Sequence, residues 1–212
     1  MENDFYNFWE NYLKPKDNIT LNNNQKKLVK YIETYHNVIV LKFRQVGCSL
    51  CLKAYVAYLL TYFRGMNIGV ITTSSWIASD YLRDIKSMID TLPNDLHPGY
   101  YKCTDSEIGF KNNSTIVVGT TNKISEMRHC KPITFLIMEE IGYIPNIENV
   151  WSALAPSLHT FQRFQKDKGL PYGCVITSTE ARGDLFKDMW DDASKENATF
   201  KQIEMGNKEG DI

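Results

Sequence analysis

The sequence predicts an α/β fold, a mostly parallel sheet sandwiched by helices, on three observations. Short apolar, β-branched runs alternate with helical stretches along the chain. Residues 133–138 are almost continuously apolar, the pattern of a parallel strand covered on both faces. Several of these runs end in polar turns, at the sheet edge where ligands bind in open α/β folds.

Taken in order, residues 3–14 carry Phe5, Phe8, Trp9, Tyr12 and Leu13 at helical spacing, so an amphipathic helix with a packed aromatic face is expected. Residues 14–20 read as a loop. Asn22 to Asn24 can cap a second helix, in which Leu28, Ile32 and Tyr35 recur at a period of 3.6, with Gln25 in its first turn. A first core strand, Val38-Ile39-Val40-Leu41, breaks into the turn Lys42-Phe43-Arg44-Gln45-Val46-Gly47-Cys48-Ser49. The helix that follows, about 49–63, has little polar face and is expected to be buried.

Residues 67–72 form a second short strand that closes in Thr72-Thr73-Ser74-Ser75. The next helix shows one stripe of Ile77, Tyr81, Leu82, Ile85, Met88, Ile89 and Leu92, and Pro93 stops it. Residues 107–110 and 115–119 flank Lys111-Asn112-Asn113-Ser114 as a β-hairpin. Residues 120–131 are polar and aperiodic, a surface loop carrying Arg128 and His129. After the strand at 133–138, residues 149–161 read as a helix that Pro156 should kink or end. Residues 173–176 are another strand, ending in Thr177-Ser178-Thr179. Asp184 is expected to cap a helix through Trp190, residues 198–204 to add a last strand, and Gly206 onward to be a polar tail. The expected division is an N-terminal helix and linker over 1–20, one domain over 21–205 and the tail over 206–212.

At 212 residues and 43% hydrophobic the chain can bury a full core. A formal charge of -1 gives no global attraction for nucleic acid, so any such contact needs a local patch. No apolar run approaches the roughly 18 residues that span a bilayer, and Met1-Glu2-Asn3-Asp4 is not a signal peptide, so a cytosolic protein without membrane contact is expected. The five cysteines, at positions 48, 51, 103, 130 and 174, are expected to be mostly buried thiols. Cys48 and Cys51 form a C-x-x-C between strand and helix, which opens a second reading as a thiol oxidoreductase with a low-pKa Cys48.

Strand, turn and helix in that order place backbone N–H groups at a helix N-terminus, where phosphates bind. Against the phosphate-loop pattern G-x-x-x-x-G-K-[ST], Gly47 and Ser49 fill the second glycine and hydroxyl positions, while Lys42 replaces the first glycine and Cys48 the lysine. Glu139 and Glu140 end the apolar strand. Two adjacent carboxylates there are costly to bury unless a cation or substrate needs them.

Over residues 20–195, the order and spacing of these strand ends resemble the large terminase subunit of tailed bacteriophages, the ATPase that packages viral DNA into a capsid. Some members of that family place the loop lysine at its beginning, as Lys42 stands here, and Arg44-Gln45-Val46-Gly47 is similar to their Arg-Gln-Leu-Gly. Leu136-Ile137-Met138-Glu139-Glu140 resembles the metal-binding acid followed by the catalytic glutamate, although the family more often has Asp at the first position. Ile144-Pro145-Asn146 continues the similarity. Thr177-Ser178-Thr179 resembles the coupling motif, Gln25 the adenine-contacting glutamine, and Arg128 the arginine that in some members reaches a neighbouring subunit's ATP.

The resemblance implies a P-loop NTPase fold of the ASCE type, with ATP and Mg²⁺ as cofactors. ATP would be bound by Gln25, Lys42, Arg44, Gln45, Val46, Gly47, Cys48 and Ser49. Mg²⁺ would be held by Ser49 and Glu139, with Glu140 and Arg128 catalytic. Either Lys42 or Arg44 would replace the missing loop lysine. The implied partners are double-stranded DNA, a portal and procapsid, a small terminase subunit and further copies in a homo-oligomeric ring, in the cytoplasm of an infected bacterial host. The C-terminal nuclease domain of the family has no counterpart in these residues, so DNA cleavage is not expected of them. A helicase-like DNA-dependent ATPase and a non-catalytic nucleotide-binding scaffold are the other readings.

Overall fold

The computed structural model describes residues 4–14, 19–121, 132–180 and 183–206. One sheet is built from β1 (Asn37–Lys42), β2 (Asn67–Ile71), β3 (Tyr100–Cys103), β4 (Glu107–Phe110), β5 (Thr115–Gly119), β6 (Phe135–Met138), β7 (Gly173–Ser178) and β8 (Lys201–Met205). Its strand order is β3-β4-β5-β2-β6-β7-β1-β8. From β5 to β8 all neighbours are parallel, whereas β3–β4 and β4–β5 are antiparallel. The mostly parallel sheet expected from the sequence is therefore present, with an antiparallel extension at one edge.

Alternation along the central strands divides the core in two. Val38, Val40, Phe135, Ile137 and Val175 face one apolar cluster, and Ile39, Leu136, Met138, Cys174 and Ile176 face the other. The first cluster is covered by α2 (Asn23–Tyr35), α3 (Cys48–Tyr62) and α4 (Ser75–Asp90), and the second by α5 (Ile147–Asp167) and α6 (Asp184–Ala193). Every residue of β6 and β7 is buried, which explains why their sequences show no polar alternation.

The N-terminal aromatics pack inward as expected. The short helix α1 (Phe5–Phe8) runs into a π-helical turn, Trp9–Leu13. Phe5, Phe8, Trp9 and Leu13 are buried in the first cluster, with the Phe5 ring 5.4 Å from that of Tyr55. Residues 5–13 thus belong to the same core as the sheet.

Three local expectations are corrected. Pro156 neither ends nor divides α5, which continues through it to Asp167. Both Pro156 and Ser152, whose carbonyl loses its helical donor, lie on the exposed face, where water can serve that carbonyl. Asp184 is the first residue of α6 and does not cap it. Gly183 holds the N-cap position, and Asp184 contributes a negative charge to the first turn. β3 was not expected at all, because three of its four residues are exposed and carry no apolar alternation.

Candidate nucleotide site

β1, β6 and β7 are neighbours, so the chain segments that leave their C-terminal ends meet at one edge of the sheet. From β1 comes the loop 43–47, from β6 the pair Glu139-Glu140, and from β7 Thr179. These segments are far apart along the chain, and the sheet brings them together.

The loop is shaped by two left-handed residues, Gln45 at φ 63° and Gly47 at φ 79°. Gly47 is also the N-cap of α3. A Cβ there would lie 2.6 Å from Gln25 Nε2, so glycine is needed for both conformation and space. Gln25 is buried, against the expectation for a residue in a helix's first turn. Its Oε1 accepts from Asn22 N at 2.9 Å while Asn22 Oδ1 accepts from Gln25 N, a capping box at the start of α2. Its Nε2 donates to Gly47 O at 3.0 Å, and Asn22 Nδ2 donates to Val46 O at 3.3 Å. The cap of α2 therefore holds the loop. The capping pattern was visible in the sequence, but its reach to a loop some twenty residues away was not.

Lys42, at the end of β1, is 8% exposed, and its ammonium donates to Glu140 Oε1 at 2.5 Å. Burial alone would pull its pKa down, but Glu140 and Glu139 outweigh that and hold the ammonium above its usual range. For Glu140 burial pushes upward, and the Lys42 ammonium together with Thr179 prevails, keeping the carboxyl below its ordinary value. Thr179 donates to Glu140 Oε2 through both its N–H, at 2.9 Å, and its hydroxyl, at 3.0 Å. Glu140 itself adopts a left-handed backbone, φ 55° and ψ 44°. A non-glycine residue there costs of order 1–3 kcal/mol, and such strain collects at functional sites.

Glu139 is 6% exposed. Burial pushes its carboxyl upward against the opposing pull of Lys42 and Ser49. Ser49 Oγ donates to Glu139 Oε2 at 3.0 Å, and Thr177 Oγ1 lies 3.4 Å from the same oxygen. Glu139 Oε1 is buried without a partner. This donor set fits Mg²⁺. Adjacent corners of an octahedron with Mg–O bonds of about 2.1 Å are roughly 3 Å apart, the spacing of Ser49 Oγ and Glu139 Oε2. Among the described residues no group of three or more His, Cys, Asp or Glu could cage a metal, so such an ion would depend on water and phosphate for its other ligands.

A cleft of about 400 Å³ opens over this edge, lined by Lys42, Arg44, Gln45, Thr73, Glu140, Tyr143 and Thr179. Arg44 is exposed in it, whereas Lys42 is buried in its floor. Thr73 and Tyr143 were not singled out from the sequence, and only their positions just after β2 and Glu140 hinted at them. Of the segment 177–179, Thr177 and Thr179 touch the acids, while Ser178 Oγ donates to Glu180 O at 2.6 Å. Arg128 lies outside the described residues.

The thiol reading is overturned here. Cys48 and Cys51 are both buried free thiols. Burial, reinforced by Glu139, drives the Cys48 thiol well above its usual range, and burial takes Cys51 to about 12. A thiolate nucleophile needs the opposite.

No family model and no curated protein matches the chain. Solved structures do. The large terminase ATPase domain of Thermus phage P74-26 aligns at 15% identity with a TM-score of 0.68, over 92% of this chain and 84% of that one. The large terminase of another, thermophilic bacteriophage aligns at 10% identity with a TM-score of 0.60, over 88% of this chain and 46% of its own. A DEAD box protein from Methanococcus jannaschii aligns at 13% identity with a TM-score of 0.52, over 96% of this chain and 53% of that one.

The chain has a P-loop NTPase fold. At one edge of that fold the loop between β1 and α3 meets the acids that follow β6, through Lys42 to Glu140 and Ser49 to Glu139. The second of these terminases, from the thermophilic bacteriophage, has itself been solved in complex with ADP and with ATP-gamma-S.

Proposed function

We propose that the chain is the ATPase domain of a viral DNA-packaging terminase, hydrolysing ATP to drive double-stranded DNA into a procapsid in the cytoplasm of an infected bacterium. The observation that carries the reading is the convergence of Lys42 and Ser49, from either end of one loop, on Glu140 and Glu139. The alignment over most of a terminase ATPase domain supports terminase over other motors of this fold.

The loop N–H groups from Val46 to Ser49 would cradle the β-phosphate at the start of α3. Lys42 would supply the charge on the β/γ-phosphates, since Cys48 cannot. Arg44, exposed on the cleft, would add to it from solvent. Ser49 and Glu139 would hold Mg²⁺, which when bound neutralises charge developing on the phosphates.

Glu140 would orient the attacking water. While Lys42 occupies Oε1, that oxygen is unavailable and the carboxylate is a weak base. Once Lys42 turns to phosphate, Thr179 still grips Oε2, leaving Oε1 free to accept from water. Thr177 and Thr179 would transmit the change to β7. Arg128 would complete a neighbour's site within a ring. Adenine contact by Gln25 would require its amide to release Gly47 O. A portal, a procapsid and a small terminase subunit are the partners proposed.

The test is phosphate release by the purified chain, alone and with matched portal, procapsid and double-stranded DNA. Stimulation by the capsid components supports the reading. Strand separation without such stimulation would favour the helicase-like alternative, which the DEAD box alignment keeps open.

A further inference from the structure

Among the described residues, two buried side-chain oxygens have no hydrogen-bond partner, Glu139 Oε1 and the hydroxyl of Tyr81. They belong to one neighbourhood. Ser49, which donates to Glu139, and Lys53 lie one turn apart on α3. The Lys53 ammonium sits 4.9 Å from the centre of the Tyr81 ring and donates to Asp84 Oδ2 at 2.6 Å, which fixes Tyr81 of α4 beside the same face. Burial raises the Tyr81 hydroxyl well above its usual range, and Glu139 is the strongest charge adding to that shift. Tyr81 is 3% exposed.

Leaving one buried hydroxyl and one carboxylate oxygen unpaired is unfavourable, and a shared partner would satisfy both. A single water with such partners is the usual occupant of a small polar void. We infer that Tyr81 is a positioning residue for Glu139, its hydroxyl donating through one bridging water to Oε1 so that Oε2 stays turned to Ser49 and the metal. Lys53 and Asp84 hold the ring in place. Nothing in this arrangement places Tyr81 against nucleotide. It acts through the carboxylate, as outer partners of metal ligands do. The inference rests on the proposed nucleotide and Mg²⁺ site.

The test is Tyr81→Phe, which keeps the ring and removes the hydroxyl. ADP affinity is measured calorimetrically in EDTA and across a MgCl₂ titration, and the melting temperature of the free chain is recorded. The variant is expected to need about tenfold more Mg²⁺ for half of the Mg²⁺-dependent gain in affinity, with the affinity in EDTA unchanged and the melting temperature lowered. An unchanged Mg²⁺ midpoint overturns the inference. So does a raised melting temperature, because deleting a truly orphaned hydroxyl relieves an unpaired group. Wild-type protein that binds ADP no more tightly with Mg²⁺ than without would overturn the Mg²⁺-site reading as well, and wild-type protein that binds no ADP would overturn the nucleotide-site reading, whereas Mg²⁺-dependent wild-type binding with an unaltered variant sinks the role of Tyr81 alone.

Discussion

Lys42 Nζ lies 2.5 Å from Glu140 Oε1, joining the end of β1 to the segment after β6 across 98 positions of sequence. The pair is asymmetric: the lysine side chain is 9% exposed and the glutamate 26%. On the proposed function, Lys42 would have to leave this partner to meet phosphate, while Glu140 would keep Thr179.

Substitution separates the two candidates for the loop's cation. Lys42→Ala removes the buried charge and strands a carboxylate that remains mostly enclosed. It should lower stability by about 3 kcal/mol, the lower end for breaking a buried pair. Turnover of the assembled motor should be abolished, as read by phosphate release. Arg44→Ala, at an exposed position, should leave stability unchanged and reduce turnover only in part. Full turnover in Lys42→Ala would transfer the role to Arg44.

Glu140→Gln keeps the shape of the side chain and its contacts with Thr179 but removes the carboxylate. Nucleotide affinity should persist, while hydrolysis falls by about 10²–10⁴, the contribution of a positioned acid–base group. Binding and phosphate release measured on the same preparation check this. Loss of both together would place Glu140 in binding.

Much of this was legible because the sheet's interior imposes it. The strands β1, β2, β6 and β7 stand out as apolar runs because both of their faces are covered. Glu139 and Glu140 stand out because they break such a run. The edge strand β3 was not legible, since exposure removes its constraint to alternate. Nor was the burial of Gln25, whose partner Gly47 O is reached only after α2 has packed against the loop. Tyr81 read as one more residue of an apolar stripe. Its hydroxyl becomes informative only beside Glu139, and periodicity carries no record of that neighbour.

Gly47 tests the loop's shape independently of its charges. At φ 79° an alanine costs about 1–2 kcal/mol in backbone strain, and its Cβ would press on an amide held at both ends. Gly47→Ala should therefore lose about 2–3 kcal/mol, or roughly 5–10 °C in melting temperature for a chain of this size. Nucleotide affinity should fall with it. Calorimetric melting and a binding isotherm give both readings, and an unshifted Tm would show that the loop does not need this conformation.

Asp90 gives a pH signature away from the site. Burial would raise its carboxyl, but Lys86 at 2.5 Å and the Tyr100 hydroxyl at 2.6 Å, with His97 beyond, hold it below its ordinary range. A carboxyl depressed in the folded state adds stability above its unfolded pKa, and that stability is lost as pH falls through the folded value. Because its side chain is 41% exposed, screening limits the contribution to less than about 1 kcal/mol. Asp90→Asn should thus melt slightly below wild type at neutral pH and converge with it in strong acid. A gap that widened toward acid would refute the assignment.

Thiol accessibility decides against redox chemistry at the C-x-x-C by a route that needs no substrate. Cys48, Cys51 and Cys174 are buried, and their thiols are all shifted upward by burial, so neither access nor thiolate is available in the folded chain. Cys103 is exposed on β3. Brief treatment with iodoacetamide near pH 8, followed by peptide mass spectrometry, should modify Cys103 and spare Cys48, Cys51 and Cys174 until denaturant is added. Cys48→Ser should leave phosphate release in place, because on the proposed function this position would offer phosphate only its backbone N–H. Rapid native alkylation of Cys48 would mean that the start of α3 opens in solution and would restore the thiol reading to contention.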